Sequence, residues 1–214
     1  MKFEPLIHRS EEWYAARRGK PTASEFHRIV NAKGELKKTE GPKTYEAELI
    51  GERLFERQVN RDISGNPDVR YGVDREDEAA DQLGKKLNML FAPGGFFTDD
   101  QGRYGASPDR RHEMGNSLEL VEIKCPNITT QIKHLVSGIS EDYYTQVQGQ
   151  LLVSDCESAH FWSWRHDCPP YYRLIHRDEA VIRAMRRALE QFCDLLEENH
   201  KKCQAIWKAW GEAT

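Results

Sequence analysis

The stretch Ser107-Pro108-Asp109, followed after twelve residues by Glu122-Ile123-Lys124-Cys125-Pro126, decides how this chain is read. The run Leu118-Glu119-Leu120-Val121-Glu122-Ile123-Lys124 reads as a short strand. Residues i and i+2 of a strand share a face. Glu122 and Lys124 therefore project together, with Ile123 buried on the opposite side. A turn over Glu113–Ser117 folds the Asp109 segment back on the Glu122 strand, so two carboxylates and one ammonium meet. Neighbouring carboxylates repel and raise one pKa unless a cation lies between them. Magnesium suits such a place, being hard, oxygen-seeking and content to keep waters and a phosphate oxygen. It neutralises phosphate and lowers the pKa of a bound water. Lys124 would orient that water or stabilise a pentacovalent transition state. The plainer alternative is a turn-capping Asp109 beside a solvated strand face. Hydrophobic flanks and Cys125-Pro126 favour a central strand that ends at a site.

Upstream, residues 9–18 read as a short amphipathic helix carrying Trp13, Arg17 and Arg18. Thr22-Ala23-Ser24-Glu25 matches a capping box, with Thr22 satisfying free amides and Glu25 reaching back. Tyr45–Phe55 and Gly72–Leu87 have helical apolar spacing. Met89–Phe91, Gly95–Thr98 and Arg103–Ala106 read as strands, with Pro93-Gly94 and Gly115-Asn116 as turns. Downstream follow a helix over Glu141–Val153, strands at His160–Arg165 and Tyr171–His176, and a helix from Asp178 to about Trp210. This order predicts an α/β (α+β) fold with a central mixed sheet flanked by helices. Trp207 and Trp210 are expected in the core by default, with an oligomer interface or docking surface as alternatives.

Five Trp, eight Tyr and eight Phe supply the bulk for a packed globule. No apolar run is long enough to cross a bilayer, and Met1-Lys2-Phe3-Glu4-Pro5 lacks the apolar run of a secretory leader. The expectation is a cytoplasmic protein that does not enter a membrane. The five cysteines are odd in number and contain no CxxC pair, which leaves zinc knuckles and iron–sulfur clusters unsupported. A net charge of -4 argues against coating nucleic acid with the whole surface, but leaves room for a local basic groove.

Five motifs carry a family resemblance: Trp13-(x3)-Arg17-Arg18-Gly19-(x2)-Thr22-Ala23-Ser24, Tyr71-Gly72-(x3)-Glu76-(x2)-Ala79, Ser107-Pro108-Asp109, Leu120-Val121-Glu122-Ile123-Lys124-Cys125-Pro126 and Tyr144-Thr145-Gln146-Val147-Gln148. Their order resembles the lambda exonuclease or YqaJ-type viral recombinase family of the PD-(D/E)xK nuclease superfamily, over roughly residues 8 to 165. The resemblance implies a restriction-endonuclease-like core and one nuclease domain over 1–214. Within it, 1–88 would be a helical N-terminal part, 89–177 the catalytic sheet core and 178–214 the C-terminal helix. Asp109, Glu122 and the Ile123 backbone carbonyl would hold Mg2+, for which Mn2+ would substitute, and Lys124 would be catalytic.

Glu76 would help bind a second metal or position water, although composition alone makes it a surface glutamate in the run 74–78. Gln146 would line the site, leaving Gln148 an ordinary structural role. Arg17, Ser24 and Ser107, joined by Thr22, would hold a terminal 5′-phosphate, with Arg18 as the rival to Arg17. Lys33, Lys37 and Lys38 would grip duplex DNA, where bare sequence shows a solvated charge run. Arg110-Arg111 stands where the family often has glycine. That implies a different turn after Asp109, or arginines turned towards phosphate.

The implied activity is 5′→3′ double-strand DNA exonuclease, processive, leaving a 3′ single strand for recombination. Its implied partners are 5′-phosphorylated duplex DNA, two further copies in a homotrimer ring, and a single-strand annealing protein, in the cytoplasm of a bacterial or phage-infected cell. Alternatives are a restriction-type endonuclease, a resolvase, a Cas4/RecB-like enzyme, or an inactive nuclease fold that only binds DNA. A Cys125 nucleophile or a His134 base is a further alternative, unsupported by any Cys/His/Asn pattern.

Overall fold

The computed structural model describes residues 1–57, 67–115 and 117–213; Asn116 of the expected turn lies outside the described residues. The elements run β1 (Lys2–Glu4), α1 (Glu11–Arg17), a 3-10 helix (Ala23–Arg28), α2 (Glu40–Phe55), α3 (Pro67–Leu87), β2 (Ala92–Pro93), β3 (Phe96–Thr98) and β4 (Gly105–Ala106). There follow β5 (Arg110–Met114), β6 (Ser117–Lys124), α4 (Ile128–Ser137), α5 (Glu141–Ser154), β7 (Ser158–Arg165), β8 (Cys168–His176) and α6 (Glu179–Ala213).

The main sheet has five strands in the order β2-β5-β6-β7-β8, and a smaller one has three in the order β1-β3-β4. β6 and β7 are parallel, pairing Glu122 with Phe161, while their outer neighbours run antiparallel. A parallel pair needs a long crossover, which α4 and α5 supply. Being central, β6 and β7 are covered on both faces. On one side Leu120 and Phe161 pack with Val147 and Leu151 of α5 and with Ile182, Met185 and Leu189 of α6. On the other, Val121, Ile123, Trp162 and Trp164 meet Ala79, Ala80 and Leu83 of α3. The expected mixed sheet flanked by helices is thus present, and β6 lies at its centre with helices above and below.

Helix α5 is buried at every position from Thr145 to Ser154. Gly149 makes this possible: a Cβ there would lie 2.5 Å from Phe26 Cδ2, on the 3-10 helix that crosses α5.

Several local expectations are corrected. Thr22 precedes a 3-10 helix and makes no side-chain cap; its backbone carbonyl takes the Glu25 N–H at 2.8 Å. Glu25 turns to Arg28 at 3.5 Å rather than back to Thr22. The capping pattern was mimicked by residues whose side chains bond other side chains: Thr22 bonds Arg17 and Ser24, and Glu25 bonds Arg28. The strand expected at Met89–Phe91 begins later, at Ala92, because Met89 still bonds back to Gly84 at the end of α3. Helix α4 was not foreseen, since β-branched residues dominate its first turns. The N-terminal part is not wholly helical, because β1 pairs with β3. Trp207 and Trp210 are 48% and 63% exposed: the buried stripe of α6 stops at Leu196 and the helix continues beyond it. No helix among the described residues is long and apolar enough to cross a membrane.

Replacing Gly149 with alanine should drive a methyl group into the fully buried Phe26. Overpacking of this kind costs about 1–3 kcal/mol. The expected outcome is a lower denaturant midpoint with an unchanged slope.

Candidate active site

The site forms where β5 parts from β6. The Asp109 N–H still donates to the Val121 carbonyl at 3.1 Å, but the Ile123 N–H is taken by the Asp109 side chain, through Oδ2 at 2.7 Å. A strand residue's N–H and C=O leave on the same edge, so the Ile123 carbonyl faces that edge too. Gly94 fixes the Asp109 backbone from behind. Its N–H donates to the Asp109 carbonyl at 3.2 Å, and a Cβ there would fall 1.7 Å from the Pro108 carbonyl oxygen.

Glu122 is buried at the other side of Ile123, with only 2% exposure. Its Oε1 accepts from Lys124 Nζ at 2.5 Å and from Gln146 Nε2 at 2.6 Å, and its Oε2 accepts from Gln150 Nε2 at 2.5 Å. Gln150 escaped the sequence reading, yet a signal existed: it stands one helical turn after Gln146, on the same face. Gln146 thus addresses Glu122, not open solvent. Gln148, as expected, is structural, donating to the His176 carbonyl at 2.9 Å and accepting the Asp178 N–H at 3.0 Å. Burial alone would lower the Lys124 pKa, but Glu122 and then Asp109 overcome it and hold the ammonium charged.

Glu76 enters from α3. Its two oxygens accept from Arg110 and Arg9, each at 2.9 Å. Burial pushes its pKa up, but the two arginines outweigh this and keep it ionised. Arg110 also bonds Asp77 and, at 2.7 Å, the Asp109 carbonyl. Arg111 lies over the Phe3 ring and bonds Glu113 and the Pro93 carbonyl. Both arginines therefore turn onto the protein.

A residue no motif announced completes the cluster: His8, whose Nδ1 lies 3.9 Å from Asp109 Oδ1. Ligand atoms of His8, Glu76 and Asp109 all fall within 4.8 Å of one another. Burial lowers the His8 pKa against the opposing pull of Glu76 and Glu122. Asp109 is pushed the other way. Burial, then Glu122, then Glu76 raise its carboxyl well above the usual range, despite Lys124. Among the described residues its Oδ1 accepts no hydrogen bond. An unbonded carboxylate oxygen among other anionic groups fits a hard divalent cation, which would reverse the shift. The cavity there, of about 410 Å³, is lined by Arg9, Glu76, Asp109, Ile123, Lys124 and Tyr143, among others.

A second polar group lies nearby. Arg17 donates to Thr22 Oγ1 at 3.2 Å and Ser24 Oγ at 3.3 Å, and lies 4.1 Å over the Trp13 ring. Trp13 Nε1 donates to Ser107 Oγ at 2.6 Å, so Ser107 joins this group through the indole. Arg17, not Arg18, faces the hydroxyls; Arg18 caps α1. Lys33 and Lys38 are exposed, whereas Lys37 Nζ is committed to the His27 carbonyl at 2.6 Å. Cys125 is buried and its pKa is pushed up to about 12, chiefly by burial, so it is a thiol and a poor nucleophile. His134 is buried against Ser163 at 2.8 Å, in a structural network with Gln131.

Residues 12–157 match the model of the YqaJ-like viral recombinase domain. Among solved structures, the chain is similar to an alkaline exonuclease from Laribacter hongkongensis. The two are 27% identical with a TM-score of 0.82, over 94% of this chain and 100% of that one. That enzyme has also been solved in complex with dAMP. A phage-related exonuclease from Haemophilus somnus 129PT, 17% identical, shares the fold with a TM-score of 0.62, over 84% of this chain and 96% of that one. No curated protein sequence matches significantly.

The Asp109 shift predicts an effect on stability. The folded pKa lies above the unfolded one, so the folded state holds the extra proton, and stability falls as pH rises through the raised value. Asp109→Asn keeps an acceptor for the Ile123 N–H and removes the charge. In chelator it should melt higher than wild type at pH 8, with a smaller gain at pH 5. Added divalent cation should raise the wild-type melting temperature alone. An Asn variant that melts lower at both pH values would contradict the crowding described.

Proposed function

The chain belongs to the YqaJ-like viral recombinase family, and on that premise we propose that it is a magnesium-dependent DNA exonuclease that degrades the 5′-ended strand of a duplex. The observation that carries this reading is the convergence of Asp109, Glu122, Lys124 and Glu76 at the parting of β5 and β6, beside the Arg17 group. The likeness to the alkaline exonuclease, over nearly the whole chain, supports DNA as substrate and a free end as its entry point. Mn2+ would substitute for Mg2+, because the donors are carboxylate and carbonyl oxygens, which suit both cations.

Asp109, Glu122 and the Ile123 carbonyl are the groups that would hold the cation, with Glu76 available for a second. When bound, the cation supplies charge neutralisation and Lewis acidity towards a phosphodiester. The chain's own residues do the rest. Glu122 and Asp109 favour the charged form of Lys124, which then offers a donor to the attacking water or to the transition-state oxygens. Gln146 and Gln150 anchor both Glu122 oxygens and hold that carboxylate's orientation. Arg17, Thr22 and Ser24, with Ser107 behind Trp13, offer a guanidinium and hydroxyls to a terminal 5′-phosphate. Lys33 and Lys38 would meet the duplex backbone further out, and Lys37 would do so only by leaving the His27 carbonyl.

Processive action, the 3′ single strand passed to an annealing protein, and a homotrimeric ring are parts of the same proposal. A ring would reconcile a net charge of -4 with a basic inner channel. The chain would act as one nuclease domain in the cytoplasm.

End-labelled linear duplex and covalently closed circular duplex, each with and without magnesium, test the reading together. Only the linear form should be consumed, only with the metal, and from the 5′ label. Lys124→Ala should slow this by about 10²–10³-fold, and Asp109→Ala at least as much. Cutting of the circle would point to an endonuclease. Separately, a 5′-phosphorylated end should be consumed faster than a 5′-hydroxyl end, and Arg17→Ala should erase that preference while leaving the hydroxyl substrate nearly unaffected.

A further inference from the structure

His8 lies ahead of the stretch that matches the family model, yet among the described residues its ligand atom clusters with those of Glu76 and Asp109 at the site. Its surroundings fix which nitrogen carries the proton. Ser107 Oγ touches three partners: Trp13 Nε1 at 2.6 Å, His8 Nε2 at 2.8 Å and the Gly95 carbonyl at 2.9 Å. The indole has only a proton to give and the carbonyl only lone pairs. A hydroxyl has one proton, and the Gly95 carbonyl requires it. Ser107 therefore accepts from both Trp13 and His8, which is the one arrangement that makes all three contacts hydrogen bonds. His8 Nε2 bears the proton, and Nδ1 presents a bare lone pair.

That lone pair faces Asp109 Oδ1 across 3.9 Å. The separation is too long for a hydrogen bond. Neighbouring ligands about 2.1 Å from one octahedral cation stand about 3 Å apart, which a small side-chain adjustment would reach. The ring's other nitrogen is already anchored, as in histidines that bind metals, and the imidazole rests 5.4 Å from the Trp13 ring.

We propose that His8 is a nitrogen ligand of the catalytic cation, donating through Nδ1 beside Asp109. This rests on reading the site as a metal-dependent nuclease centre. The same residue then ties that centre to the Arg17 group, along Asp109, His8, Ser107, Trp13 and Arg17. An imidazole ligand also shifts preference from magnesium towards manganese, because nitrogen donors favour the later metal.

The test uses the full chain loaded with Mn2+ and observed by pulsed electron paramagnetic resonance. Wild type should show nitrogen-14 modulation from a coordinated imidazole. His8→Gln should lose it, since the glutamine amide can still donate to Ser107 but offers nothing at the Nδ1 position. Manganese affinity should fall about 10-fold or more, with magnesium affinity less affected and the melting temperature without metal unchanged. Wild type without the modulation, or His8→Gln that retains it, overturns the assignment of His8. Asp109→Ala separates the two readings. If manganese binds that variant as tightly as wild type, the nuclease centre itself is misplaced. If binding needs Asp109 but carries no nitrogen signal, only the role of His8 falls.

Discussion

The hydrogen bond from the Ile123 N–H to Asp109 Oδ2 is the interaction on which the site depends. It replaces a rung of the β-ladder at the point where β5 has run out. A buried strand N–H without a partner costs about 1–3 kcal/mol, so the end of the ladder demands an acceptor, and the chain provides a carboxylate. One oxygen is used for structure and the other is left facing the cavity. The same bond that closes the sheet edge therefore aims an anionic group at an open place. Gly94 makes this geometry possible, since any larger residue would displace the Pro108–Asp109 backbone.

Charge is distributed unevenly around that bond. Glu122 is matched by Lys124 and two glutamine amides, and Glu76 by two arginines. Among the described residues, the Asp109 carboxylate accepts only a backbone N–H. The asymmetry follows from where each carboxylate originates. Glu122 lies on a central strand beneath α5, and Glu76 on a helix flanked by Arg9 and Arg110, but Asp109 stands at a strand edge facing open volume. The mismatch is local: Glu122 and Glu76 are each met by cations at hydrogen-bond distance, whereas Lys124 offsets Asp109 only in part. Arg110 contributes to both sides, bonding Glu76 and the Asp109 carbonyl together. A glycine at that place would free Glu76 from one of its two arginines.

The link from this centre to the Arg17 group passes through side chains from four separate segments. His8 comes from the segment before α1, Trp13 and Arg17 from α1, and Ser107 from the end of β4, with Thr22 and Ser24 at the 3-10 helix. Beyond the 3.9 Å step from Asp109 to His8, each contact is a hydrogen bond or a ring face, which ties the two groups together through side chains. On the proposed reading, the two linked groups would hold a terminal phosphate and the scissile bond at once.

How much was legible in advance follows from the range of the forces involved. The strand period placed Glu122 beside Lys124 with Ile123 opposite, and helical spacing located α2 and α3, because these patterns depend on neighbours a few residues away. Ser-Pro-Asp and Glu-x-Lys announced a pair of segments, and a short hairpin was enough to bring them together. Gln150 was within reach of the same reasoning, one turn from Gln146. Thr22 was misread because its hydroxyl bonds the Arg17 and Ser24 side chains in place of the free amides that the capping pattern offers it. Trp207 and Trp210 were misplaced because apolar character says nothing of where a helix outruns the body it packs on. His8, Arg9 and Arg110 around Asp109 and Glu76 were decided by the tertiary structure alone. Their contacts span the chain, and no local periodicity encodes which distant side chain will fill a gap beside a carboxylate. The sequence by itself determined which carboxylates and which lysine stand together on one strand and its neighbour, and only the tertiary structure, by turning Asp109 Oδ2 onto the Ile123 N–H, decided which of the two oxygens would be left open.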